Sequence, residues 1–134
     1  MKKVFKRSLF LLLGFLVIFL CCSDIKAQDW NLLCSYDVST AAGSGQYGSE
    51  TDGLFLYTTF GSNNDFAKFD LNGNWIENFS INGVSEVKDL AFDGDFFYGS
   101  NYNNQIFVLD FNLKQLITTI NSPINVISIA YDSE

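Results

Sequence analysis

From Gln46 onward the chain alternates short apolar runs with polar turn residues. The plan is clearest between residues 86 and 121. "VKDLAF" ends at Asp93-Gly94, "DFFYGS" ends in "NYNN", "QIFVLDF" ends at a turn through Asn112, and "KQLITTI" ends at "NSP". The stretch from about 46 to 81 repeats this plan, with Asp52-Gly53 and Asn72-Gly73 as its turns. Runs rich in Phe, Tyr, Ile and Val, bounded by Gly, Asn and Asp, predict strands. Asp-Gly and Asn-Gly predict two-residue hairpins in which both central residues take positive φ. Two successive four-stranded antiparallel units are therefore expected.

The units are copies of one pattern. Asp52, Asp93 and Asp132 stand 41 and 39 residues apart, and Asp70 answers Asp110 at a spacing of 40. Phe55 and Tyr57 answer Phe96 and Tyr98, and Val87, Leu90 and Ala91 answer Val126, Ile129 and Ala130. A strand-rich period near 40 predicts propeller blades. "IFVLDF" and "LFLYTTF" lack the clean apolar/polar alternation of a sheet with one wet face. Blades sandwiched between neighbours need no such alternation, whereas the rival β-sandwich needs no 40-residue repeat. The expected fold is all-β and β-propeller-like, with two four-stranded antiparallel blades plus partial flanking strands. Unit 1 spans about 46–81, unit 2 about 86–121, and unit 3 starts at 126–134, so 28–134 forms an incomplete ring. "NLLCSYDVS" reads as the fourth strand of a unit. Because a ring needs at least about four blades, the chain is expected to be the N-terminal piece of a longer protein. The runner-up is a short chain that self-associates to complete the ring.

These phrases resemble a family of secreted bacterial β-propellers, whose members carry "LAYDG-x-YFYG" followed by "IYxMDFTxxxLxxTI". Here they read "LAFDGDFFYG" and "QIFVLDFNLKQLITTI", and "NLLCSYDVSTA" is similar to the family's opening strand. The resemblance covers most of residues 29 to 133. It implies a large extracellular or cell-surface protein, often one ending in a sorting domain for type IX secretion, and it implies no catalytic motif.

Residues 1–27 are a separate element. Lys2, Lys3, Lys6 and Arg7 precede an apolar run, Leu9 to Cys22, of 14 residues. That is shorter than the roughly 18 of a spanning helix. Ala27 supplies a small residue at a cleavage point, so the stretch reads as a signal peptide. The mature chain is expected in the periplasm, outside the cell or at its surface, with no membrane association after cleavage. An uncleaved anchor and lipidation at Cys21 or Cys22 are the competing readings. Loss of residues 1–27 removes five of eight basic residues and one of 15 acidic ones, leaving three against 14 and a net charge of −11. Such a surface repels nucleic acid and anionic lipid. Cys34 then stands alone, so no internal disulfide is expected.

Little chemistry is written in the remainder. The chain has no histidine, the usual base of Ser and Cys nucleophiles. "AAGSGQYGSE" matches neither glycine-rich phosphate motif and reads as a flexible connection. "FGSNNDFAKFD" and "FDGDFF" offer oxygen ligands but do not fit a calcium loop. The repeated aspartates read instead as turn residues whose side chains bond the backbone ahead. No catalytic residue, metal site or cofactor is assigned. In a propeller, the loops after strands two and four share one rim. They include Asn63, Asn64 and Asp65 in unit 1, Tyr102, Asn103 and Asn104 in unit 2, and the linkers at Asn82-Gly83, Ser85-Glu86 and Asn121-Ser122. Polar loops on a rigid scaffold are where binding resides, and a protein or glycan surface is the expected partner. The alternatives are part of a calcium-dependent propeller enzyme of lyase or lactonase type, and a structural spacer of a surface protein.

Overall fold

The computed structural model describes residues 32 and 34–133. The signal peptide read in residues 1–27 lies outside the described residues. The compact unit is Tyr36–Glu134. It holds two antiparallel sheets with their strands in sequence order. The first comprises β1 (Gln46–Thr51), β2 (Phe55–Phe60), β3 (Asp65–Asp70) and β4 (Trp75–Ser80). The second comprises β5 (Asp89–Phe92), β6 (Phe97–Ser100), β7 (Gln105–Asp110) and β8 (Gln115–Asn121). Connections this short allow only antiparallel neighbours, and the aromatic and β-branched content suits a pleated surface packed on both sides.

The tight turns are organised by their aspartates. Asp52 accepts the Leu54 and Phe55 amides at 2.8 and 2.7 Å on one oxygen, and the Tyr57 hydroxyl at 3.2 Å on the other. Asp93 does the same for Asp95, Phe96 and Tyr98 at 2.8, 2.8 and 2.7 Å. The two-residue hairpin with positive φ at both positions does not form. Within these Asp-Gly and Asn-Gly pairs the glycine alone crosses to positive φ, Gly53 at 84°, Gly73 at 81° and Gly94 at 107°. A carboxylate already bonded to the two amides ahead keeps its own backbone in the ordinary region, so the glycine alone makes the left-handed step. In the β7–β8 turn Lys114 stands where the first unit has Gly73 and carries a φ of 54°.

The main core lies between the sheets. Tyr57, Phe66 and Phe79 share one face of the first sheet and meet Phe97, Leu109 and Phe111 of the second unit. Phe111, just past β7, is the wedge. Its ring centroid lies 4.2 Å from Phe97, 4.9 Å from Tyr57, 5.0 Å from Phe66 and 5.3 Å from Phe79. Near the start of β1, Gly48 allows close approach, because a Cβ there would lie 2.6 Å from the Asp89 Cα and 2.7 Å from the Lys88 carbonyl.

A helix covers the opposite face of the first sheet. Residues 34–37 are not strand, and α1 (Val38–Ala42) follows. This corrects the expected flanking strand in "NLLCSYDVS". Asp37 accepts the Ser39 and Thr40 amides at 3.1 and 3.3 Å, a capping arrangement that favours a helical turn over extended backbone. Val38 and Ala42 pack on Leu56, Phe60, Ala67 and Phe69, and the Asn78 amide donates to the Ala42 carbonyl at 2.9 Å. Both faces of the first sheet are thus covered, which explains its missing alternation. The glycine-rich "AAGSGQYGSE" is also more ordered than a flexible connection. Its connecting part is Gly43–Gly45, and β1 starts at Gln46.

Residues 126–133, expected to open a third unit, carry no strand. Val126 exchanges backbone bonds with the β6–β7 loop, donating to Asn103 at 2.9 Å and accepting from Tyr102 at 3.2 Å. The Ile129 amide donates to Asp89 at 3.0 Å. In each unit the first strand ladders onto the second. The segment is held at these points and not along a ladder.

Candidate ligand-binding rim

The rim is built from the β2–β3 and β6–β7 loops and the linkers that leave β4 and β8. One backbone bond recurs a repeat apart: Glu86 donates to the Asn63 carbonyl at 3.0 Å, as Val126 does to that of Asn103. Ser122 donates to the Asn104 carbonyl at 2.7 Å. Side chains tighten the same loops, with Asn63 accepting from the Asp65 amide at 2.9 Å and Asn101 from the Asn103 amide at 3.3 Å. Three of the six residues singled out from sequence therefore use backbone carbonyls to fasten each loop to the next linker.

The six do not form one site. Asn63, Asn64 and Asp65 border an open cleft of about 660 Å³ with Ser80–Val84 and Lys114. Lys114 pairs with Glu77 at 2.7 Å on the flank of that cleft. Both partners are largely exposed, so the pair contributes at most about 1 kcal/mol. Tyr102, Asn103 and Asn104 do not line this cleft. Tyr102 belongs to a second group, in which the Lys88 ammonium lies 4.9 Å from the Tyr47 ring centroid and 5.8 Å from that of Tyr102. The Tyr47 ring lies against Gly61, where a Cβ would sit 2.5 Å from it. Tyr102 adopts a φ of 66°, a conformation that costs a non-glycine residue about 1–2 kcal/mol and that the two bonds to Val126 hold in place. Both tyrosines are exposed.

Sequence reading missed Tyr47 and Lys88. Tyr47 was hidden in the glycine-rich stretch, and Lys88 carried one available signal, as one of only three basic residues beyond residue 27. On the opposite rim a smaller cleft of about 260 Å³ lies between Asp52 and the Asp95 and Asn112 turns. There the Phe96 amide and the Tyr98 hydroxyl hold the Asp93 carboxyl below its usual range, and the bond to Asp93 raises Tyr98. Burial, then the Asp52 charge, pushes the Tyr57 hydroxyl well above its ordinary value. These are structural bonds of the turn. Among the described residues no three acidic or cysteine side chains converge on a point, no helix is long and apolar enough to cross a membrane, and Cys34 is exposed.

Two sequential four-stranded meanders, packed face to face with their turns on opposite rims, define an all-β, propeller-like fold. No family model and no curated protein matches the chain. Solved structures do. Hydrazine synthase from Kuenenia stuttgartiensis aligns with a TM-score of 0.56 at 20% identity, over 66% of this chain and 26% of that one. Glutaminyl cyclase from Myxococcus xanthus aligns with a TM-score of 0.56 at 11% identity, over 66% of this chain and 46% of that one. The chain matches less than half the length of either neighbour. At these identities the likeness supports the propeller-like fold and nothing finer.

Proposed function

We propose that this chain is a non-enzymatic propeller-repeat module, exported from the cytoplasm, that binds a protein or glycan surface through its polar rim. The observation that carries the reading is the pair of exposed tyrosines, Tyr47 and Tyr102, flanking Lys88 beside the asparagine-rich loops. Tyrosine supplies rigid contact area at low entropic cost, and asparagine supplies adaptable hydrogen bonds. The loop backbone is fastened one repeat apart, so binding has little ordering cost. Export rests on the basic and apolar leader in residues 1–27. The test is a glycan-array and surface-protein screen, followed by titration calorimetry with the wild-type chain, Tyr102→Ala and Asn64→Ala. The expected result is saturable binding that Tyr102→Ala weakens by about tenfold or more, with unchanged circular dichroism. Absence of any ligand, or a ligand indifferent to both rim variants, would overturn the proposal.

A further inference from the structure

We propose that the group of Tyr47, Lys88 and Tyr102 takes a glycan carrying a single sugar carboxylate, with Lys88 as the residue that selects the acid. The inference rests on the rim reading above and names the ligand class of that same site. Three lysines lie among the described residues. Lys114 pairs with Glu77 at 2.7 Å, and the Lys68 ammonium lies 3.7 Å from the Phe55 ring centroid. Lys88 is half-buried, and no described carboxylate pairs with it. The neighbouring carboxylate, Asp89, accepts from the Ile129 amide instead. What the Lys88 ammonium faces is the rings of Tyr47 and Tyr102, at 4.9 and 5.8 Å from their centroids. A ring attracts an ammonium through its quadrupole and leaves the three N–H donors unspent. The strongest partner this site can take is therefore an anion, because a carboxylate forms a charge-assisted hydrogen bond.

The rest of the rim favours a sugar over an acidic peptide. An extended peptide is held through main-chain hydrogen bonds, and the rim has already used its own. The Asn63, Asn103 and Asn104 carbonyls accept from Glu86, Val126 and Ser122, and the Tyr102 amide donates to the Val126 carbonyl. What remains open is side chains. The tyrosines are 61% and 49% exposed, and Asn103 and Asn104 are exposed beside them in the chain. A pyranose offers a flat C–H face to an aromatic ring and hydroxyls to amides. Both rings are placed in advance, Tyr47 against Gly61 and Tyr102 through its bonds to Val126, so a rigid sugar meets a rigid platform. Charge limits the number of acids. The chain carries a net charge of −7, and Glu86 and Asp89 lie close to Lys88 in sequence. Such a surface repels a polyanion, whereas one carboxylate meets one ammonium.

The experiment is titration calorimetry on the full chain, expressed for export. The probes are glucuronosyl-xylose and sialyl-lactose, each as the free acid and as its methyl ester, and a tetra-aspartate peptide. At least one acid is expected to bind about tenfold or more tightly than its own ester. Lys88→Gln should erase that difference while leaving ester affinity unchanged, and Lys88→Arg should retain it. Tyr102→Ala should weaken acid and ester alike. Because the ester reports on the platform and the acid on the ammonium, a variant that merely disturbs the fold lowers both and is told apart from loss of the charge. No binding of either acid, equal affinity of acid and ester, an acid preference that survives Lys88→Gln, or tighter binding of tetra-aspartate overturns the proposal. The rim reading is judged separately. It stands if an ester or another neutral glycan binds and responds to Tyr102→Ala, and it falls if no ligand does.

Discussion

Replacing Phe111 by alanine tests how the two units are joined. Phe111 comes from the second unit but lies against three first-unit rings, Tyr57, Phe66 and Phe79, as well as Phe97 of its own sheet, with centroids 4.2–5.3 Å away. It is 5% exposed. Truncating a buried phenylalanine loses its transfer free energy and leaves a cavity, together about 3–5 kcal/mol. Each edge or stacked ring contact is worth about 0.5–1.5 kcal/mol, so the four contacts place this site near the upper end. A domain of this size has only about 5–15 kcal/mol of stability in total. At about 4–8 °C per kcal/mol, the melting temperature should fall by roughly 15–30 °C. Leu71 is the internal control. It occupies the same repeat position in the first unit but is 53% exposed, so Leu71→Ala should cost under about 0.5 kcal/mol. Urea unfolding followed by far-ultraviolet circular dichroism measures both. A loss below about 1 kcal/mol for Phe111→Ala, or equal losses for the two variants, would refute the wedge.

Gly48→Ala would place a methyl 2.6 Å from a backbone atom of Asp89, which cannot swing aside, so a loss of about 1–3 kcal/mol is expected in urea; a neutral result would mean the units do not approach there. The raised hydroxyl of Tyr57 adds stability that is complete below the ordinary tyrosine value near pH 10 and is lost as pH rises above it toward the folded value. Spectrophotometric titration should show Tyr57 ionising only as the protein unfolds, and Tyr57→Phe should flatten the alkaline limb of the stability profile; normal ionisation with the fold intact would contradict its burial.

The sequence by itself determined the strands and their pairing. Asp-Gly and Asn-Gly punctuate apolar runs too close together for anything but antiparallel neighbours, and the 40-residue spacing marks the two sheets as copies. The aspartates were legible as turn residues because an Asx bond is local, made within three residues of its donor. Non-local decisions were not legible. "NLLCSYDVS" has strand-like content, yet α1 forms because a face of Phe60, Ala67 and Phe69 was available to receive it and Asp37 could cap it. Val126–Tyr131 matches Val87–Phe92 in sequence but carries no strand, held instead by single bonds to Tyr102, Asn103 and Asp89. The six rim residues look alike on paper, yet the twist and packing of two sheets send Asn63–Asp65 to one cleft and Tyr102 to Lys88 and Tyr47. Local chemistry fixes turns and strands; which faces find a partner depends on what else the folded chain brings alongside them.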